Sequence, residues 1–327
     1  MTEPARWAIL GAGAIATDFA DALIHAELGS LHAVGARDVS RARSFAQRYR
    51  APVAATYDEV LGRDDVDAVY VATVHPTHLE LVHAALDAGK AVLCEKPLTV
   101  RAADTEAAIA HADRVGLPLV EAYKYRFGPF ADRLRELLGS GRLGSIVEIE
   151  SSLGFAAGSR TGRLFDPATA GGAILDVGCY PVSFAVGVVA AAGVDLGRSS
   201  VAQASGSIGS TGVDETATAV LDLGGVTARV RTSIVEETPR LSRIVGTDAT
   251  LEIDNAWGSR SRSTDSAVLV DEEGRHTISV DTVQPMAAEA DAVIAALREG
   301  RTQAPEIPWS QSQTIAALLD GWLDALR

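Results

Sequence analysis

Apolar residues recur along the first 123 positions in two alternating rhythms. Short β-branched runs read as strands: Trp7 to Leu10, Leu31 to Ala36, Ala68 to Ala72, Ala91 to Cys94 and Leu119 to Ala122. Between them, apolar positions three and four apart predict helices over Ile15 to Glu27, Val39 to Tyr49, Thr77 to Ala88 and Ala102 to Val115. Asp38 is placed to cap the second helix, and Gly89 and Gly116 stand where the last two must stop. Strand and helix alternating at this spacing predict a parallel, doubly wound α/β sheet.

The rhythm changes beyond residue 123. After one helix, Pro129 to Leu138, strand patterns follow over Ser145 to Leu153, Val201 to Ile208, Thr216 to Leu223 and Val226 to Val235. More follow over Leu241 to Gly246, Ala249 to Ile253, Ala267 to Val270 and His276 to Val280. The turn Leu223-Gly224-Gly225-Val226 predicts a hairpin and so antiparallel pairing. Helices are predicted near Gly172 to Ala192, Pro285 to Arg298 and Trp309 to Leu326. The expectation is a first domain over 1–123 and an α+β domain over 124–327 with a large, mostly antiparallel sheet. The C-terminal helices are free to pack back on the first domain.

Composition narrows the function classes. The 327 residues hold 29 Lys+Arg and 43 Asp+Glu, a net charge of −14, which argues against nucleic acid or an anionic membrane as partner. The apolar run from Val182 to Val194 is broken by Ser183 and Gly187 and is too short for a membrane span. Cys94 and Cys179 form no disulfide framework, and the N-terminus shows no leader pattern, so the cytoplasm is the expected compartment. Only His276 among seven histidines lies beyond residue 111, and no metal site is expected. Of the 29 basic residues just three are lysines, Lys90, Lys96 and Lys124. A lysine kept where arginine is otherwise used is a candidate for work that needs a compact ammonium.

Gly11-Ala12-Gly13-Ala14-Ile15-Ala16 follows the first strand and opens the first helix, the context that a G-x-G-x-x-A dinucleotide fingerprint requires. Gly11 permits the tight turn, Gly13 lets backbone approach a pyrophosphate, and Ala14 and Ile15 begin the helix whose free N–H groups face it. This makes the first domain a Rossmann-type α/β unit. At the end of the second strand, where an NAD site usually has Asp or Glu, the first polar side chain is Arg37, with Arg41 one turn on. Asp38 has the better role of capping. A cation there pairs with a ribose 2′-phosphate, so NADP is the expected cofactor, with NAD the alternative.

Glu95-Lys96-Pro97 ends another strand of the same sheet, which puts Lys96 at the crevice where such sheets bind ligands. Farther on, Gly171-Gly172-Ala173-Ile174-Leu175-Asp176-Val177-Gly178-Cys179-Tyr180 spaces Asp176 and Tyr180 one helical turn apart. By itself that segment fits a buried Tyr–Asp hydrogen bond as well as catalysis.

Together, G-A-G-A-I-A, the strand-end E-K-P and G-G-A-x-x-D-x-G-x-Y resemble the glucose–fructose oxidoreductase / inositol dehydrogenase (Gfo/Idh/MocA) family over nearly the whole chain. Val74-His75-Pro76-Thr77-His78 and Gly89 to Pro97 are similar to its dimeric dihydrodiol dehydrogenase and NADP-dependent D-xylose dehydrogenase branches. The resemblance implies an oxidoreductase whose substrate lies between the nicotinamide and an open-faced second sheet. It implies Tyr180 as acid/base, Lys96 as the cation that stabilises its phenolate, and Asp176 as an orienting acceptor. Thr73, His75, His78 and Glu95 are then expected beside the cofactor, and Lys124, Arg126 and Arg163 beside the substrate.

The implied substrate is a sugar, polyol or dihydrodiol, and the implied assembly a homodimer or homotetramer. Two rival readings use the same fold: a sugar-nucleotide ketoreductase, with Arg160 and Arg163 on phosphate, and a non-catalytic nucleotide- or sugar-binding regulator. Lys124 stands where many relatives have an apolar residue, and Gly128 where they have histidine. A Lys124 facing the pocket would favour an anionic or hydroxyl-rich substrate; one facing solvent would say nothing.

Overall fold

The computed structural model describes residues 3–258 and 263–326. Its first sheet has six parallel strands: β1 (Ala5–Leu10), β2 (Gly29–Gly35), β3 (Val53–Ala55), β4 (Ala68–Val71), β5 (Ala91–Glu95) and β6 (Leu119–Ala122). Their spatial order is β3-β2-β1-β4-β5-β6. The order reverses between β1 and β4, so the carboxyl ends of those strands flank the crevice in which an open α/β sheet holds its ligand.

Helices α1 (Ala14–Leu23), α2 (Val39–Tyr49), α3 (Tyr57–Leu61), α4 (His78–Asp87) and α5 (Ala102–Val115) connect these strands. Neither β3 nor α3 is among the elements read from apolar periodicity. Within α1, the buried faces of Ala16, Phe19, Ala20 and Leu23 follow that periodicity. The helix ends four residues earlier than expected, because the Glu27 and Leu28 N–H groups donate to the Asp291 carboxylate at 2.9 and 2.8 Å. Phe19 stacks on Tyr70 with ring centroids 3.9 Å apart, which seats α1 on the sheet.

The second sheet has eight strands in the order β14-β13-β12-β11-β7-β10-β9-β8. They are β7 (Ile146–Gly154), β8 (Ser200–Ile208), β9 (Asp214–Leu223), β10 (Val226–Ser233), β11 (Ser242–Gly246), β12 (Thr250–Ile253), β13 (Ser263–Asp271) and β14 (Gly274–Thr282). All neighbours run antiparallel except β7 and β10, which pair in parallel from Glu148–Thr227 to Gly154–Ser233. Strand β7 comes first in the chain and lies between two meanders, and this placement makes it run parallel to one neighbour.

Helices α6 (Pro129–Gly139), α7 (Cys179–Ala191) and α9 (Trp309–Asp324) pack on this second sheet. Along β10, Ala228 and Val230 are buried while Arg229 and Arg231 face solvent, the period-two alternation of a half-covered sheet. The solvent face carries ion pairs, Arg229–Glu148 at 2.6 Å and Arg275–Glu252 at 2.9 Å.

Helix α8 (Pro285–Arg298) lies against α1 and β5, and α9 lies against α5 and α7, so both C-terminal helices reach the first sheet. Among the described residues, one stretch, Pro167–Ala191, is long and apolar enough to cross a membrane by length and composition. It is 83% buried in its most apolar window, as the core helix of a folded domain is.

Candidate active site

Gly11, at the end of β1, has φ +115°, and a Cβ there would lie 2.5 Å from the Ala72 carbonyl oxygen. Only glycine fits so close to β4. Over Gly13 the space is open for 4 Å around a Cβ position. That opening lies at the start of α1, where a helix leaves its first N–H groups unpaired.

Arg37 is exposed at the end of β2. Arg41 is exposed too, and its Nη2 donates to the Ala12 carbonyl at 3.2 Å, against the same loop. The Asp38 carboxylate accepts from Ser40 N at 2.9 Å and Ser40 Oγ at 2.7 Å. It is committed to capping α2, and the two arginines are the exposed cations beside the loop.

Lys96 leaves β5 toward the second domain. Its Nζ donates to the Asp176 carbonyl oxygen at 2.6 Å and stands 4.9 Å from the centroid of the Tyr180 ring. Burial works against its charge, but Cys179 and Tyr180, followed by Asp176 and Glu95, outweigh burial and raise its pKa. The ammonium is therefore charged throughout the working range.

The segment that meets it begins at Gly171 and Gly172. A Cβ on Gly172, at φ +113°, would fall 2.2 Å from Asp214 Oδ1, and one on Gly171 would fall 2.5 Å from the Arg163 carbonyl oxygen. With no side chain in the way, Asp214 Oδ2 accepts from Ile174 N at 2.6 Å and anchors the segment. The expected helix starts as a five-residue π-helical turn, Ile174–Gly178, before α7. Such wide turns re-aim side chains within a helix and are frequent at functional sites.

Burial alone would raise the Asp176 carboxyl, but Lys96 and Arg163 hold it below the ordinary range. It accepts from Arg163 Nη1 at 2.7 Å. The Tyr180 phenol is pushed up, first by burial and then by Glu95 and Glu289, while Lys96 pulls it down. The cation acts in the direction expected of it, and burial outweighs it. Tyr180 is thus a neutral phenol, a proton donor at rest.

His75 lies in the turn after β4 and His78 begins α4. Burial, together with the charges of His78 and Lys96, pushes His75 down to about 3. As a neutral ring it donates from Nδ1 to the Ala170 carbonyl at 3.2 Å, tying the two domains together next to Asp176. His78 is wholly buried, with Nδ1 3.1 Å from the Pro97 carbonyl oxygen. It buttresses the loop after β5 and has no surface to offer a cofactor. Thr73 is half-buried and its hydroxyl accepts from Thr77 Oγ1 at 2.8 Å. Glu95 is buried, and its Oε1 accepts from the Tyr70 hydroxyl at 2.5 Å.

Of the three residues expected beside the substrate, Arg163 is at the site through Asp176. Arg126 is a buried strut. Its guanidinium donates to the Ser183 carbonyl at 3.1 Å, the Glu306 carbonyl at 3.0 Å and Gln311 Oε1 at 2.5 Å, so substrate contact is corrected to a scaffold role. Lys124 points inward: it is buried and its Nζ donates to the Trp257 carbonyl at 2.7 Å. Lys90, also buried, donates to the Arg63 carbonyl at 2.6 Å and is purely structural.

The aromatic surroundings of Tyr180 escaped the sequence reading. Rings of Tyr123, Tyr125 and Trp257 lie 5.8, 5.9 and 5.7 Å from it, centroid to centroid. They come from the crossing between domains and from the segment after β12, positions with no shared motif. Away from the crevice, Asp271, Glu273 and His276 bring ligand atoms within 4.8 Å of one another on the β13–β14 hairpin. Asp271 is already engaged there by Arg142 and His276.

The chain matches the model of an oxidoreductase family with an NAD-binding Rossmann fold (Gfo/Idh/MocA) over residues 5–123, and that family's C-terminal domain over residues 131–252. It is 34% identical to the trans-1,2-dihydrobenzene-1,2-diol dehydrogenase of Mus musculus, over 96% of this chain and 95% of that one. The chain belongs to the Gfo/Idh/MocA oxidoreductases. Another member, the D-xylose 1-dehydrogenase (NADP(+)) 2 of Haloferax volcanii, is 31% identical over 95% of this chain and 94% of its own.

Among solved structures of this fold, a 3-ketoreductase from Actinomadura kijaniata in complex with NADP and TDP-benzene superposes with a TM-score of 0.85 at 25% identity. It covers 99% of this chain and 98% of its own. The family resemblance, the two-sheet fold class and the oxidoreductase assignment read from the motifs are all borne out.

Proposed function

We propose that this chain is an NADP-dependent oxidoreductase that interconverts a CH–OH and a C=O group on a sugar, polyol or dihydrodiol. A bound nicotinamide supplies or accepts the hydride. The remaining chemistry falls to the chain's own side chains. In reduction, Tyr180 gives its phenol proton to the substrate oxygen; in oxidation it takes the hydroxyl proton back. The Lys96 ammonium stabilises the phenolate left in between. Asp176, ionised and held by Arg163, accepts from a neighbouring substrate hydroxyl and fixes which carbon faces the hydride.

The observation that carries this reading is the 4.9 Å approach of the Lys96 ammonium to the Tyr180 ring across the two domains, on the sheet edge that also holds Gly11 and Gly13. NADP over NAD is supported by Arg37 and Arg41 at the end of β2, with Asp38 occupied in capping. The printed names of the xylose dehydrogenase and the NADP complex support it further.

The sugar-nucleotide reading draws support from the TDP-benzene complex of that neighbour. Arg160 is paired with Glu215 at 2.9 Å and Arg163 with Asp176 at 2.7 Å, each through Nη1 alone, so a phosphate would be met by the N–H groups each guanidinium has left. We also place the protein in the cytoplasm as a homodimer or homotetramer joined through the solvent face of the second sheet, which light scattering at micromolar concentration tests. A screen of sugars, inositols and dihydrodiols with NADP+ and NAD+, followed at the nicotinamide absorbance, tests the activity. Turnover with at least one class is expected; cofactor binding without turnover on any would favour the regulator instead.

A further inference from the structure

The three rings around Tyr180 come from two places. Tyr123 and Tyr125 belong to the crossing between the domains, and Trp257 to the turn that follows β12. Tyr125 meets Trp257 edge to face, with centroids 5.5 Å apart and planes at 88°. Phe184 of α7 meets the same indole at 5.9 Å. Trp257 is therefore a shared wall, and the place of its ring bears directly on Tyr180.

Within the turn, the bonds that hold Trp257 in place are long. Gly258 N donates to the Asn255 carbonyl at 3.3 Å, and Asn255 Nδ2 to the Gly258 carbonyl at 3.5 Å. Both lie beyond the usual range for such bonds. A short bond comes from outside: Lys124 Nζ donates to the Trp257 carbonyl at 2.7 Å, across 133 residues of chain. Lys124 stands between Tyr123 and Tyr125 in the sequence, so its ammonium ties the two walls of the cage together.

A buried ammonium is costly, and methionine would fill similar space without that cost. Methionine would also leave the Trp257 carbonyl without this donor. The lysine is thus explained by the bond it makes.

We propose that Lys124 is a positioning residue: by holding the Trp257 carbonyl it fixes the indole against Tyr180, and so keeps the Tyr180 ring at its 4.9 Å approach to the Lys96 ammonium. The inference rests on the function proposed above, because it takes Tyr180 as the proton carrier. Lys124 need touch neither substrate nor cofactor; its effect passes through one ring. A misplacement of about 1 Å at a reacting group costs about 10²-fold in rate, and a loosened wall should cost part of that.

The test is a double-mutant cycle on the full chain, with Lys124→Met and Trp257→Leu made singly and together and turnover followed at the nicotinamide absorbance. Lys124→Met alone should lower kcat by about tenfold with cofactor affinity unchanged. In the Trp257→Leu background the same substitution should change kcat by less than about twofold, because the ring through which it acts is gone. A general loss of packing would carry the same cost in both backgrounds, as would direct contact between Lys124 and the substrate. Lys124→Gln runs the same cycle as a second variant, and cooperative thermal unfolding of each shows that it is folded.

A second readout needs no turnover. The emission of Trp257, taken as the difference between each protein and its Trp257→Leu counterpart, should shift to the red in Lys124→Met as water reaches the indole. Equal costs in the two backgrounds would overturn the inference, as would wild-type kcat in Lys124→Met or an unshifted Trp257 emission. If wild type turns over no substrate, the proposed function falls and this inference falls with it. Turnover without the coupling removes the inference alone.

Discussion

The side chain of Lys96 ends 2.6 Å from the carbonyl oxygen of Asp176, so one ammonium spans from the first domain to the second and stands over Tyr180 on the way. A guanidinium is planar and wider, and it would not fit between a carbonyl and a ring at these separations. Lys96→Ala is expected to lower turnover by about 10²-fold or more, the usual cost of removing a positioned charge from a reacting oxygen. Lys96→Arg should not restore it. Steady-state rates beside cofactor affinities check both, and full rescue by arginine would remove the argument for a compact ammonium.

Arg37 governs the choice of cofactor if its guanidinium meets the 2′-phosphate. Arg37→Glu should weaken NADP+ by about 10- to 100-fold, the worth of a charge-assisted hydrogen bond, and leave NAD+ nearly unchanged. Dissociation constants for both nucleotides decide it. An equal effect on the two would assign Arg37 to something other than the phosphate.

Gly172 should tolerate no side chain. An alanine there would combine a left-handed φ of +113° with a Cβ 2.2 Å from Asp214 Oδ1. Gly172→Ala should cost about 2 kcal/mol or more, visible as a lowered Tm, and should depress turnover because the π-helical turn carries Asp176. A variant as stable as wild type would mean that Asp214 does not anchor the turn.

His75 makes stability depend on pH in a stated direction. In the folded chain it is pushed down to about 3 by burial, and then by the charges of His78 and Lys96. Unfolded, it protonates near the ordinary value of about 6.5. The unfolded state therefore binds the extra proton across that window, and stability from His75 is complete above it and is lost as pH falls toward 3. On this ground, wild type should lose on the order of 1–2 kcal/mol between pH 7 and 5, and His75→Gln should lose less. Urea midpoints at the two pH values measure the difference.

Where the chain's chemistry is local, the sequence was readable. The turn at Gly11 and Gly13 is dictated by strand, glycine spacing and helix in immediate succession, and Lys96 by its place at a strand end. The strand β3 was missed because three residues, Val53–Ala55, are too few to show a period. The helix α3 did leave a signal. Thr56 and Glu59 form a capping box, with the Glu59 carboxylate accepting from Thr56 N at 2.9 Å, and the T-x-x-E spacing was legible.

Roles set by long-range packing were not. Arg126 looks like a pocket cation in the sequence and is a strut because residues 57 to 185 positions away supply its acceptors. The inward turn of Lys124 depends on Trp257, 133 residues away. The state of Tyr180 depends on how much burial opposes Lys96, which no spacing of residues could weigh.

The central claim is that the phenol of Tyr180, beside Lys96, moves the proton that accompanies hydride transfer. Its most direct test is the rate of change of nicotinamide absorbance for wild type and Tyr180→Phe, measured side by side on the substrate that the screen identifies. Cofactor affinity is recorded for both. The account predicts a rate lowered by about 10²- to 10⁴-fold in Tyr180→Phe with cofactor affinity within a few-fold of wild type. An unchanged rate in Tyr180→Phe would contradict it.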